Sequence, residues 1–152
     1  MSGLPFEDFD LGWAPGHLLR RCHQRFQALF SEAAAEFALT PQQTAVLIAV
    51  HQSPGSSFRA LTARTGIDRN TLREIIARLI ARGVVVRRRS ARDPRCHDLR
   101  ISADGLAVLL AIEDETRRVE ALMLAPLAAA ERADFIAAAR KIAGLGTDGR
   151  TS

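Results

Sequence analysis

Six arginines fall within sixteen residues of this 152-residue chain, in the stretch RRRSARDPRCHDLRIS from Arg87 to Ser102. Guanidinium groups at that density suit paired hydrogen bonds to phosphate, although a solvated surface loop has the same composition. The excess extends beyond the stretch. Between Arg59 and Arg100 there are twelve arginines against Asp68, Glu74, Asp93 and Asp98, a local charge of +8, so the remainder carries −4 of the overall +4. A basic block flanked by mildly acidic arms is the electrostatic footprint of a surface that binds a polyanion.

A second set of reactive types lies near the N-terminus. Trp13, His17 and Arg20 recur at i, i+4 and i+7, and an aromatic ring, an imidazole and a guanidinium on one helical side would suit an aromatic carboxylate. Alternatively Trp13 staples the start of a helix and Arg20 is a surface charge. His51 could join them or cap helix carbonyls. Cys22 and Cys96 are too few for a disulfide framework. Cys22 sits among apolar residues, and the chain has no Tyr to orient a thiolate, so redox sensing is a secondary alternative. No pair has C-x-x-C or H-x-x-x-H spacing, so neither metal nor cofactor is expected. Neither G-x-S-x-G nor G-x-x-x-x-G-K occurs, so an enzyme is not expected either.

The elements that hold these groups are mainly helical, given abundant Ala, Leu and Arg and an aromatic content of only 5%. No apolar run approaches the eighteen or so residues that span a bilayer, and Met1 to Phe9 is acidic rather than signal-like, so a cytoplasmic protein without membrane partners is expected. WAPGHLL opens a long helix at Pro15 that is expected to run to about Phe37, with Trp13 stapled onto Leu18. Leu19, Cys22, Phe26, Leu29 and Ala33 give it a seam for packing along another helix. Thr40, Pro41 and Gln43 begin the next helix, and SPGSS turns the chain.

FRALTART, Phe58 to Thr65, predicts a short helix ended by Gly66. RNTLREIIARLIAR predicts another, capped by Asp68 and closed by Gly83. In the second, Leu72, Ile75, Ile76, Leu79 and Ile80 form the buried stripe. Asn70, Glu74, Ala77 and Ala81 then face outward, flanked by Thr71, Arg73 and Arg78, a composition suited to a major groove. VVVRRR and HDLRIS predict a hairpin with its tip at ARDPRC, where Asp93-Pro94 suits a type I turn. At most two of Arg87, Arg88 and Arg89 can share a face. Helix, turn, helix and an Arg-tipped hairpin make a winged helix whose tip can reach a minor groove.

The segment Leu39 to Gly105 resembles the MarR family of winged-helix transcriptional regulators. The resemblance rests on RL-x-x-RG-x-V-x-R, on Asp93-x-Arg95 and on Ser102-x-x-Gly105, in that order. It implies a mainly α fold with a small β-hairpin wing: a winged helix-turn-helix DNA-binding lobe over residues 39–102, helical dimerisation regions at 1–38 and 103–146, and a disordered tail at 147–152. It implies that Arg95 enters the minor groove and Asp93 orients the wing, and with the residues above gives a DNA-binding set of Asn70, Thr71, Arg73, Arg78, Arg88, Arg92, Asp93 and Arg95. It further implies a homodimer on a double-stranded, pseudo-palindromic operator, with half-sites one DNA turn, roughly 34 Å, apart.

GHLLRRCHQRF is similar to members that govern aromatic-acid catabolism, some through coenzyme A thioesters. The expected function is therefore a repressor released by a small aromatic carboxylate or an acyl-CoA at Trp13, His17, Arg20 and His51. An architectural DNA binder without a ligand is the alternative.

Overall fold

Nearly every helix start is set by a side chain that takes the first unpaired backbone N–H groups. The structure, a computed structural model, describes residues 5–90 and 97–146. Helix α1 spans Pro15–Ala33 and α2 Pro41–Gln52, each opened by its proline. At α2 the Thr40 hydroxyl accepts from the Gln43 N–H at 3.1 Å while the Gln43 side chain accepts from the Thr40 N–H at 3.0 Å. Ser57 caps α3, Phe58–Thr65, and Asp68 caps α4, Arg69–Ala81. Ser102 caps α5, Ala103–Leu124. At α6, Ala129–Ile142, the Glu131 carboxylate accepts from the Ala128 N–H at 2.7 Å.

Between α4 and α5, strands β1 (Val85–Arg89) and β2 (His97–Ile101) pair antiparallel, with Val85 opposite Ile101, Arg87 opposite Leu99 and Arg88 opposite Asp98. The turn after α2 joins this sheet edge, its Gly55 N–H donating to the Leu99 carbonyl at 3.0 Å. The fold is mainly α with a two-stranded wing on a helix-turn-helix lobe. Residues 91–96, including the expected tip arginines Arg92 and Arg95 and the turn residue Asp93, lie outside the described residues, as does the tail at 147–152.

The core forms where α2, α3, α4 and the hairpin converge. Val46, Leu47, Val50, Leu61, Leu72, Ile76, Leu79, Val85 and Leu99 are all essentially inaccessible. Phe30 and Ala34 from the end of α1, with Ile112 and Val119 from α5, enter the same cluster, so the long helices are fastened to the lobe by apolar burial. α1 packs along α5. Arg25 donates to the Leu122 carbonyl across that contact at 3.2 Å.

The first helix is shorter than its pattern suggests. It stops at Ala33, and a 3₁₀ turn over Ala35–Phe37 leads to Ala38 with φ of +49°. The bend brings Phe30, Ala34 and Leu39 into one core, which a straight helix to Phe37 would prevent. The expected staple is absent: Trp13 lies in a 3₁₀ turn before Pro15 and is 81% exposed. Leu19 is likewise exposed at the head of the expected seam, whereas Cys22, Phe26, Leu29 and Ala33 are half-buried. No residue of α6 is buried, so Phe135, Ile136 and Ile142 stand open.

One contact fixes how α5 leaves the hairpin. A Cβ on Gly105 would lie 2.0 Å from the Val84 carbonyl oxygen and 2.7 Å from Ile101 Cγ1. At an ordinary helical position Gly→Ala is stabilising. Here Gly105→Ala is expected to destabilise by about 2 kcal/mol, a fall of roughly 4–8 °C in Tm by calorimetry. An unchanged melting curve would show that α5 can slide off the hairpin freely.

Candidate functional site

α4 presents a polar ridge because its apolar stripe is committed to the core. Leu72, Ile75, Ile76 and Leu79 are buried, while Asn70, Arg73, Glu74, Ala77, Arg78 and Ala81 are exposed. Its start is held by Asp68, whose Oδ1 accepts from the Asn70 and Thr71 N–H groups, each at 3.0 Å. Hydrogen bonds from the Thr71 hydroxyl and then its N–H hold the Asp68 carboxyl below the usual carboxylate range. A depressed carboxyl stabilises the fold fully above its unfolded value and loses that contribution as acid protonates it, so the ridge is firmest at neutral pH. Thr71 is thereby turned toward the cap. The helix ends in a Schellman motif: Gly83, at φ of +78°, donates to Ile80 and Val84 donates to Leu79.

Beside the ridge lies a concavity of about 430 Å³. Its floor is Phe58, Ile76, Ala77 and Ile80, and its rim carries Arg69, Arg73 and Arg87. Ile80, expected in the buried stripe, is 36% exposed because at about 100° per residue it falls between Arg69 and Arg73 rather than over Ile76. Arg87 shares the Val85 and Leu99 side of the hairpin, and its guanidinium carbon sits 5.8 Å from the centre of the Phe58 ring. That stacking aims a cation at the groove beside α4. Arg88 is on the other side of the strand, opposite Asp98.

Arg69 and Arg87 were therefore not singled out by sequence, although the helical and strand periods contain the signal. Arg78 and Thr71 occupy the other flank of α4. Among the candidates for polyanion contact, Arg92, Asp93 and Arg95 lie outside the described residues.

A second concave site among the described residues lies between α2 and α5 and has a volume of about 540 Å³. Ile48, Leu106, Leu109 and Leu110 supply apolar wall, and His51, Gln52, Thr116 and Glu120 supply polar wall. Glu113 and Arg117 at its edge form an i, i+4 ion pair. Partial burial pushes the Glu120 carboxyl pKa up. Of the four residues expected to meet a ligand, only His51 lines this cavity. Trp13 precedes α1 and so departs from the helical spacing with His17 and Arg20. His17 Nδ1 and Arg20 Nη2 lie 3.3 Å apart on the first turns of α1.

Comparison with known proteins joins these sites to a family. Residues 39–95 match the profile described as MarR family. Across 93% of this chain and 90% of the relative, the sequence is 32% identical to the HTH-type transcriptional repressor NicR of Pseudomonas putida. The chain belongs to the MarR family. It is a transcriptional regulator of MarR type.

Among solved structures this MarR-family chain is similar to the PcaV regulator of Streptomyces coelicolor in complex with its natural ligand. That match has 35% identity, a TM-score of 0.83, and 95% and 98% of the two chains covered. BpsR of Bordetella bronchiseptica, whose DNA binding is regulated by 6-hydroxynicotinic acid, gives 28% identity, a TM-score of 0.85, and 91% and 99% coverage.

The α4 ridge and its arginine rim make a basic surface suited to a polyanion, and Arg82 connects that surface to the long helices. From the end of α4 its guanidinium donates to the Phe37 carbonyl at 2.6 Å and the Ala38 carbonyl at 2.9 Å. Arg73→Ala and Arg87→Ala should each weaken DNA binding, and each should lower the slope of log affinity against log salt by about one phosphate contact. A fluorescence-anisotropy titration over a salt series reads both quantities. Unaltered slopes would remove the concavity from the interface.

Proposed function

We propose that the protein is a homodimeric repressor that binds a pseudo-palindromic operator and leaves it when an aromatic carboxylate, or its coenzyme A thioester, binds between α2 and α5. The observation that carries this reading is the pairing of two concave sites on one core. An arginine-rimmed groove flanks α4, and an amphipathic cavity opens against α5, whose N-terminus continues directly from the wing. A ligand that favours one spacing of the two lobes would shift the dimer away from the operator spacing.

The unburied apolar side of α6 supports a dimer, since Phe135, Ile136 and Ile142 have no cover within one chain. A second copy related by a two-fold axis would bury them and set two α4 helices roughly 34 Å apart. In this reading Asn70, Arg73 and Arg78 meet bases or phosphates, Thr71 and Arg88 lie at the edges, and the 92–95 segment brings Arg95 to the minor groove with Asp93 orienting it. His51 stands on the effector wall. Trp13, His17 and Arg20, at the head of α1, would reach the same ligand only across the dimer interface. The basic groove offers a place for the phosphates of a coenzyme A ester.

A gel-shift titration with aromatic acids and their coenzyme A thioesters tests the proposal. Release of the operator by one of them, with loss of that response in Trp13→Ala at retained DNA affinity, is expected. Binding that no such compound relieves would favour an architectural DNA binder instead. In the same assay Arg95→Ala should weaken the complex and flatten its salt dependence by about one contact.

A further inference from the structure

The basic block between Arg59 and Arg100 contains four acids. Asp68 caps α4, Asp98 stands opposite Arg88 in the hairpin, and Asp93 lies outside the described residues. The fourth, Glu74, is on the exposed ridge of α4 itself. A carboxylate there faces whatever polyanion the arginines attract, and against phosphate it can only repel.

At about 100° per residue, Asn70, Glu74 and Ala81 fall within roughly 40° of arc, opposite the buried stripe of Leu72, Ile75, Ile76 and Leu79. Glu74 is thus on the crest of the ridge, with Arg73 and Arg78 on its flanks. Ala77 and Ala81 beside it are small, so the crest stays low around the carboxylate. The ordinary use of such a residue is an ion pair with a cation four positions on, here Arg78. Both ion pairs among the described residues lie on α5 instead, and the Glu74 side chain makes no hydrogen bond to a described residue.

We infer that Glu74 is a specificity-determining residue that accepts from the exocyclic amine of cytosine in the major groove, and so fixes one C·G pair in each half-site. The inference rests on the reading of α4 as the helix that enters the groove. Base edges there offer two amine donors, cytosine N4 and adenine N6. A carboxylate has only acceptors, so guanine, with O6 and N7, and thymine, with O4, repel it. Adenine sets its N7 acceptor beside its amine, whereas cytosine has a C–H there, and the difference favours cytosine. The arginines attract any duplex, and the acid makes the closest approach conditional on one base.

Selection from a random double-stranded DNA library by the full chain, by Glu74→Ala and by Glu74→Gln tests this, followed by anisotropy titration of the recovered duplexes. The unaltered protein's motif should hold one cytosine position per half-site, preferred about tenfold or more over each other base, the weight of one good base contact. Glu74→Ala should lose the preference at that position alone and should bind duplexes outside the motif as tightly or tighter. Glu74→Gln, whose amide both accepts and donates, should move the position toward adenine. Replacing the cytosine by 2-pyrimidinone, which pairs but lacks the amine, should cost the unaltered protein the same factor and Glu74→Ala nothing. Melting curves check that both variants fold, and the nearly isosteric Glu74→Gln carries the test if Glu74→Ala does not. An unchanged base preference in either folded variant, an equal loss at every position, or a Glu74-dependent position that selects another base would overturn the assignment while leaving α4 in the groove. If the unaltered protein enriches no motif, the reading of α4 fails and the assignment with it.

Discussion

The fold turns on the approach of Gly105 to the Val84 carbonyl. Around that point Ser102 donates its hydroxyl to the Gly83 carbonyl at 2.6 Å, its N–H to Val84 at 3.1 Å, and accepts from the Gly105 N–H at 2.9 Å. Gly83 ends α4, Val84 leads into β1, and Ser102 and Gly105 begin α5. The polar ridge of α4, the wing beside it and the helix that walls the cavity thus share one small joint. Because Gly105 has no side chain, α5 starts in direct contact with backbone, and the angle between the lobe and the long helix is set by hydrogen bonds instead of adjustable side-chain packing.

Two chemical characters are separated across this joint. On the α4 side, arginines stand over an apolar floor, and Phe58 holds Arg87 by its face. On the α5 side, aliphatic residues share the cavity wall with Glu113, Thr116, Arg117 and Glu120, and α2 adds His51 and Gln52. A basic surface of the first kind attracts a polyanion at a distance, whereas polar groups in a cavity of the second kind act only at contact range.

Local signals were the legible ones. The SPGSS turn and Gly66 bracket α3 and Asp68 and Gly83 bracket α4, so these helices and the hairpin after them could be placed to within a residue. The end of α1 was not legible: Ala34 to Phe37 contains no helix breaker, and the bend there is imposed by burial of Phe30 and Ala34 and by Arg82, more than forty residues away. Trp13 was placed on the first helix by its spacing, although Pro15 at the first helical position leaves it outside. Arg87 could be assigned a strand face but not a neighbour, since its partner Phe58 meets it only once α3 and β1 pack. The cavity between α2 and α5 was invisible for the same reason, because its two walls are joined through the whole DNA-binding lobe.

Ala38 gives the Arg82 contact a further meaning. An alanine at φ of +49° holds a left-handed backbone that disfavours any residue with a Cβ by about 1–2 kcal/mol. Two hydrogen bonds from the charged Arg82 side chain lock the carbonyls on either side of that strained link. The turn below α1 is therefore tied through its own backbone to the end of α4, so the left-handed link and the last turn of that helix are positioned together.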